Sequence, residues 1–360
     1  MHFGSDNCSP VHPQVMDALS RANQGYATSY GDDAIMDRVR ARFREVFEAP
    51  DAAIYLVGTG GTANALALAT YVQPWQAIYC HRNAHLETDE CGGPAFYSGG
   101  ATLALVDGPN GKLAADALAS AIAATPQGDV HAVQRGAVSI TNTSEAGTVY
   151  SCDEVAAISA IARRNSLPLH MDGARFANAL VSLGCTPAEL TWKSGVDVLS
   201  FGGAKNGLMG VEAVVMFDPA KAWEFELRRK RGGHLFSKHR YLSAQFEAYL
   251  SDDLWLDMAR TANHMAAQLS RGLAAIPGAY LVHPTQANMV FARMARARHR
   301  RAMQGGATYY LMPMDTSLEG ADDEMLASRL VCSWSTTTSD VDQFLERIDF
   351  FVYFTSPCWR

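Results

Sequence analysis

Two textures of apolar and polar positions follow one another along the chain. Ile35, Val39, Phe43, Val46 and Phe47 recur at helical spacing and predict a helix over 33–47. Short apolar runs then mark strands over 53–57, 77–80, 102–106, 137–141, 167–171, 196–201 and 212–217. Helical segments separate most of them, for example the Ala- and Leu-rich 62–72. Ser151 and Glu154 carry the spacing of a capping box before a helix whose apolar stripe is Val155, Ile158 and Ile161. Short buried strands alternating with helices predict a parallel α/β sheet. Upstream, residues 1–30, with Pro10 and Pro13 among many small polar residues, read as extended. From residue 250 the texture changes. A long amphipathic helix over 252–275 leads into strands at 279–282, 289–293, 308–312 and 329–334, and a terminal helix starts near Ser339. The expected division is an N-terminal arm with a large α/β domain over 1–248 and a smaller α+β domain over 249–360.

Composition narrows the class. With 360 residues, 48% hydrophobic and 19% charged, the chain is expected to be globular, with a core that needs no disulfide or metal staple. A formal charge of −7 over this length argues against nucleic acid or an anionic membrane as the main partner. Seven cysteines, at 8, 80, 91, 152, 185, 332 and 358, include no Cys-x-x-Cys pair, so neither a disulfide framework nor a zinc site is suggested. The first ten residues hold Asp6 and lack a basic stretch followed by an apolar run. No stretch of about 18 uncharged apolar residues occurs. The expected compartment is the cytoplasm.

Five segments carry candidate chemistry. Gly58-Thr59-Gly60-Gly61-Thr62-Ala63 lies between a strand and a helix, where backbone amides and a helix N-terminus attract phosphate. It also fits the G-x-G-x-x-A dinucleotide fingerprint, with Cys80-His81-Arg82 where an acid is expected. Asp172, in His170-Met171-Asp172-Gly173-Ala174-Arg175-Phe176, follows a strand, and ligands of α/β sheets bind beyond such ends. Lys205 sits in Phe201-Gly202-Gly203-Ala204-Lys205-Asn206-Gly207, a glycine-rich turn after the next strand. An acid and a lone lysine so placed suit pyridoxal phosphate (PLP): the acid keeps a proton on the pyridine nitrogen and the amine forms a Schiff base with the aldehyde. Arg175 is positioned to reach the ring oxygen. In His85-Leu86-Glu87-Thr88-Asp89-Glu90 the imidazole can stack on the ring and move protons near neutral pH. A metal set of His85, Glu87 and Glu90 matches no standard ligand spacing, and none is expected. Arg329, opening the predicted strand 329–334, can grip a carboxylate through two parallel bonds.

Taken together these residues resemble the PLP-dependent threonine aldolases of the aspartate aminotransferase-like fold type I, nearest to the low-specificity L-threonine aldolases of bacteria. The resemblance rests on Ser5-Asp6-Asn7, Tyr30-Gly31-Asp32-Asp33, His85 to Gly92, Glu145 to Tyr150, the Asp172 and Lys205 segments and Arg329 to Trp334. It implies a large domain with a mostly parallel seven-stranded sheet flanked by helices. It implies PLP as cofactor, Lys205 as the Schiff-base lysine, Asp172 on the pyridine nitrogen, Arg175 by the phenolic oxygen and His85 stacked on the ring near the β-hydroxyl. It also implies Gly60, Gly61 and Thr62 at the phosphate, Ser5, Tyr30 and Arg329 at the substrate, and Arg228, within the basic run 228–231, at a neighbouring subunit's phosphate. Two departures stand out. Ala204 replaces the Thr or Ser common before the lysine, and Gly61 replaces a frequent Thr.

The expected reaction is retro-aldol cleavage of threonine and related β-hydroxy-α-amino acids to glycine and an aldehyde, by a dimer or tetramer with shared active sites. Transaldolation, β-elimination or transamination on the same scaffold, an NADP-dependent oxidoreductase built on the glycine turn, and a non-catalytic binding protein are the alternatives.

Overall fold

The computed structural model describes residues 1–349, and Cys358 lies outside them. The chain divides into a larger unit, residues 10–257, and a smaller one, residues 1–9 and 258 onward.

The larger unit is built on seven strands: β1 (Ala53–Val57), β2 (Gln76–His81), β3 (Thr102–Val106), β4 (Gln134–Thr141), β5 (Leu169–Gly173), β6 (Val198–Phe201) and β7 (Glu212–Met216). Their order is β1-β7-β6-β5-β4-β2-β3. Six strands run one way, and β7 runs antiparallel to both neighbours, β1 and β6. The expected mostly parallel seven-stranded sheet is therefore present. β5, β6 and β7 are buried along their whole length, and His170, Asp172, Ser200 and Glu212 are the polar residues in them. The topology sets one functional edge. The last residues of β1, β2, β5 and β6 meet there, and the antiparallel β7 brings its first residue, Glu212, to the same place opposite Val57.

Helices cover the sheet. Gly60–Tyr71 is buried almost throughout, which suits its Ala-rich sequence. The capping box at Ser151 and Glu154 is formed. An aromatic cluster centres on Phe201, whose ring meets Phe43, Phe47, Phe176, Phe246, Tyr249 and Trp255 at centroid distances between 5.5 and 6.0 Å.

The expectation of an extended stretch over 1–30 fails at Pro13–Ala22, which is a helix. Proline here occupies the first helical turn, where it costs no hydrogen bond, and His12 caps the start. Val15, Ala18 and Ala22 form the buried stripe, and Ala18 and Ala22 pack with Ala244.

The smaller unit holds β8 (Tyr280–Leu281), β9 (Met289–Ala295), β10 (Tyr310–Met312) and β11 (Met325–Val331) in the antiparallel order β10-β11-β9-β8. The last strand begins at Met325, four residues before the expected start, so Arg329 lies within β11 and does not open it. Leu326, Ser328 and Leu330 alternate inward, a period-2 pattern in which the polar Ser328 masked the strand. The first nine residues belong here because Phe3 is buried beside Phe344, donates its N–H to the Thr308 carbonyl at 2.7 Å and accepts from Val331 N–H at 2.8 Å.

Candidate active site

The lysine turn is the most constrained segment of the functional edge. Gly202 and Gly203 carry the chain off β6, and Lys205 follows in the short helical turn Ala204–Asn206. A Cβ on Gly202 would run into the Ala174 carbonyl oxygen, and one on Gly203 would lie 2.5 Å from the Val211 carbonyl oxygen, so only glycine fits either place. The turn is tied at several points. Asn206 Nδ2 donates to Tyr249 Oη and to the Trp255 carbonyl, each at 2.8 Å. Gln245 Oε1 accepts from Met209 N–H at 2.9 Å, and Gly203 N–H donates to Glu212 Oε2 at 2.5 Å. The His12 N–H reaches the Gly207 carbonyl at 2.9 Å.

Asp172 is 2% exposed at the end of β5, in register with Ser200 of β6. One of its oxygens accepts the Ala174 N–H at 3.0 Å. Two residues earlier on the same face, His170 lies between Ser139 Oγ at 2.8 Å and Ser200 Oγ at 3.0 Å. Burial holds this imidazole neutral, with its pKa pushed down to about 4. Arg175, also buried, starts the helix Phe176–Leu183.

His85 opens a single helical turn, His85–Thr88. Its Nδ1 meets Glu90 Oε1 at 3.0 Å, and its Nε2 meets the exposed Asp89 at 3.2 Å. The Glu90 side chain is buried, takes Asn64 Nδ2 at 2.8 Å on the same oxygen, and leaves Oε2 without a partner. The bond to Glu90 raises the His85 pKa. Burial raises Glu90 in turn, and its bonds to His85 and Asn64 only partly offset that. Lys205 and Asp172 both act electrostatically on His85. The lysine, the acid and the imidazole, far apart in sequence, therefore share one edge.

Beside them the start of the helix Gly60–Tyr71 is capped by Thr59, whose Oγ1 accepts the Thr62 N–H at 3.3 Å. A cavity of about 390 Å³ lies here, lined by Gly61, Thr62, His85, Glu90 and Cys91 among others. A Cβ on Gly60 would meet nothing within 4 Å, and one on Gly61 would touch only Glu90, at 3.7 Å. The rival dinucleotide reading loses its arginine, because Arg82 is exposed and ion-paired with Asp107.

Arg228 is bound to Glu224 at 2.8 Å and lines a cleft of about 600 Å³ with Arg231 and with Tyr97, which also lines the cavity at Thr62 and His85. Tyr30 has a left-handed backbone, with φ of 62°, and its half-exposed ring lies 4.5 Å from the Lys230 ammonium. Ser5 and Arg329 belong to the smaller unit. Ser5 caps the turn Asp6–Cys8. The Arg329 guanidinium lies 5.5 Å from the Tyr310 ring centre, and its buried Nε has no hydrogen-bond partner among the described residues. Among the described residues no three His, Cys, Asp or Glu side chains converge on a metal-sized site.

Sequence reasoning missed Glu212, Asn64 and the pairing role of Glu90. Glu212 had a signal, because an acid opening a fully apolar strand demands a partner. Asn64, one polar side chain in an Ala-rich helix, had a weaker one.

The β-eliminating lyase family model matches residues 2–297. A low specificity L-threonine aldolase from a Pseudomonas species is 41% identical over 339 residues, 94% of each chain. The chain belongs to the β-eliminating lyase family, among the low-specificity L-threonine aldolases. The solved structure of a Leishmania major threonine aldolase superposes with a TM-score of 0.88 at 28% identity, covering 96% of this chain and 98% of the other. The wider fold type is shared with a PLP-bound serine palmitoyltransferase from S. paucimobilis, at a TM-score of 0.67 and 15% identity, over 97% of this chain and 86% of that one.

Proposed function

We propose that this chain is a PLP-dependent aldehyde-lyase that cleaves L-threonine, L-allo-threonine and related β-hydroxy-α-amino acids to glycine and an aldehyde. The observation that carries the reading is the convergence of Lys205, Asp172 and His85 on the edge where the capped helix at Thr59 begins.

The residues suit the cofactor. Its chemistry, when bound, is an aldehyde for the amine and a cationic ring that takes up the electron pair of the bond broken at Cα. Lys205 supplies the amine that bonds the aldehyde. Asp172, buried and held by the Ala174 N–H, keeps the proton at the pyridine nitrogen, where a charge-assisted bond is strong. Arg175 donates at the phenolic oxygen. The amides of Gly60, Gly61 and Thr62, at the positive end of a twelve-residue helix, hold phosphate. The space over Gly60 and Gly61 leaves room for it at their two amides, while the Thr62 N–H is engaged by the Thr59 cap. Glu90 fixes the His85 ring through Nδ1, and Nε2, engaged only by an exposed carboxylate, is the atom that takes the β-hydroxyl proton. Ser5 and Arg329 hold the substrate carboxylate, for which the unpartnered Arg329 Nε is a ready donor. Tyr30 borders the substrate.

The reading includes a cytoplasmic homo-oligomer with shared sites, in which Arg228 serves the neighbour's phosphate. Exposed Phe96, Trp223 and Leu227, at 78%, 71% and 52%, offer apolar surface for a second copy to cover.

Purified protein supplied with PLP should release glycine and acetaldehyde from L-threonine and L-allo-threonine. Cofactor binding without either product rejects the reading. Assay with an added second aldehyde separates cleavage from transaldolation, and keto-acid analysis separates it from elimination and transamination.

A further inference from the structure

We propose that Glu212 is a positioning residue for Lys205: its buried carboxylate clamps the turn that carries the amine and supplies the counter-charge beneath it. The proposal rests on the cofactor reading above and adds a residue to that site.

The topology makes the clamp possible. β7 runs against β6, so its first residue returns to the edge where β6 has just ended and the lysine turn begins. Glu212 Oε2 accepts the Gly203 N–H at 2.5 Å, and the Ala204 backbone also donates to this side chain. Two successive amides converging on one anion form a small anion-binding nest, here filled by the protein's own carboxylate. A Cβ at Gly203 would collide with the Val211 carbonyl oxygen, so no other residue can take this place in the turn.

The charge environment is sparse. Glu212 is 7% exposed. Lys205 faces it from the lysine turn, Asp172 from β5, and the buried Tyr249 hydroxyl from the helix Arg240–Tyr249. Lys205 also faces His85. Among the described residues no arginine pairs with the acid. A carboxylate so placed is stabilised by two amides and one amine, and it is destabilised by burial and by Asp172. The balance lifts its pKa to about 7, so it changes charge near neutral pH. When ionised it would set a negative charge against any positive charge carried on the Lys205 side chain. When protonated it leaves the turn held by a weaker acceptor and the amine without its counter-charge.

The decisive variant is Glu212→Gln, which keeps an acceptor oxygen of the same reach and removes only the titrating charge. The visible spectrum of PLP-loaded wild type and variant is followed between about pH 6 and pH 8.5, across the window in which Glu212 ionises. The two proteins should agree at the acid end. At the alkaline end the variant should hold about tenfold less of the protonated, long-wavelength form relative to the unprotonated form. Spectra that titrate together across the whole range, or that differ by a constant ratio at every pH, overturn the proposal. Hydrogen exchange of the 202–208 amides in protein without added cofactor, corrected for intrinsic rates, gives a second readout. Wild-type protection should change with a midpoint near neutral pH, and the variant should show no such step. If wild type develops no visible band, the cofactor reading fails, and the exchange step alone then decides for or against Glu212. If Glu212→Gln does not fold, Glu212→Asp takes its place, with a retained pH step and weaker protection expected. Loss of the step while an acid remains would overturn the clamp.

Discussion

Gly202→Ala tests the packing that sets the distance between the lysine turn and the acid. A Cβ on Gly202 would lie against the Ala174 carbonyl oxygen, 2.6 Å from the Ala174 carbonyl carbon and 2.8 Å from its Cα. Ordinary contact starts at 3.4 Å and the carbonyl oxygen is nearer still than the carbon, so the two backbones must part by about 1 Å. Neither side can yield alone. The Gly202 N–H donates to the Gly173 carbonyl at 3.0 Å, tying the lysine turn to the residue after Asp172, and the Tyr249 hydroxyl meets the Gly202 carbonyl at 3.3 Å. Overpacking of this kind costs about 1–3 kcal/mol of stability. A displacement near 1 Å between reacting groups costs on the order of a hundredfold in rate. The assay pairs a urea denaturation curve with the initial rate of threonine cleavage and the visible absorbance of the bound cofactor. The expected result is a folded, moderately destabilised protein with a rate down about a hundredfold. A variant within about threefold of wild type in rate and about 0.5 kcal/mol in stability would show that the turn and the acid are not held by this contact.

Three further outcomes follow from the same structure. In Glu90→Gln, His85 loses the carboxylate that raises its pKa, so the imidazole stays neutral to lower pH and the acid limb of the cleavage profile moves to lower pH; an unmoved limb, or one moved upward, contradicts the assignment of His85 as the base. His170, His239 and His299 are buried with pKa pushed down to about 4, against about 6.5 when unfolded, so the unfolded chain binds protons there that the folded one refuses. Stability they contribute at neutral pH is lost as pH falls from about 6.5 toward 4, by up to about 1.4 kcal/mol per pH unit for each group, and the urea midpoint at pH 5 should shift toward that at pH 7 in His170→Gln. Phe201→Ala empties the centre of the aromatic cluster and should cost about 3–5 kcal/mol in the same assay, with a loss below about 1 kcal/mol showing that the rings repack around the gap.

The sheet was legible because burial on both faces leaves little choice of residue. The runs at 53–57 and 212–217 read directly as β1 and β7. Asp172 and Lys205 were legible for a related reason, since a charge at the end of such a strand, or in the glycine-rich turn that follows one, has to face something. What the sequence concealed depends on bonds that no local pattern carries. The helix Pro13–Ala22 hid behind its prolines, which mark a helix start as readily as an extended arm. The membership of residues 1–9 in the smaller unit comes from backbone bonds of Phe3 to Thr308 and Val331, which leave no trace in side-chain spacing. Arg329 was found, but its strand was placed four residues late, because Ser328 interrupts the apolar alternation while turning inward to bond the Ala292 carbonyl. Glu212 and Glu90 act through partners nine and five residues away, and only the return of β7 and the turn after His85 bring those partners within reach.

The most direct test of the central claim is borohydride reduction of the PLP-loaded protein followed by peptide mapping. The account predicts a pyridoxyl adduct on the peptide containing Lys205 and its absence in Lys205→Ala. An adduct on a different lysine, or none in protein that holds a full complement of cofactor, would contradict it.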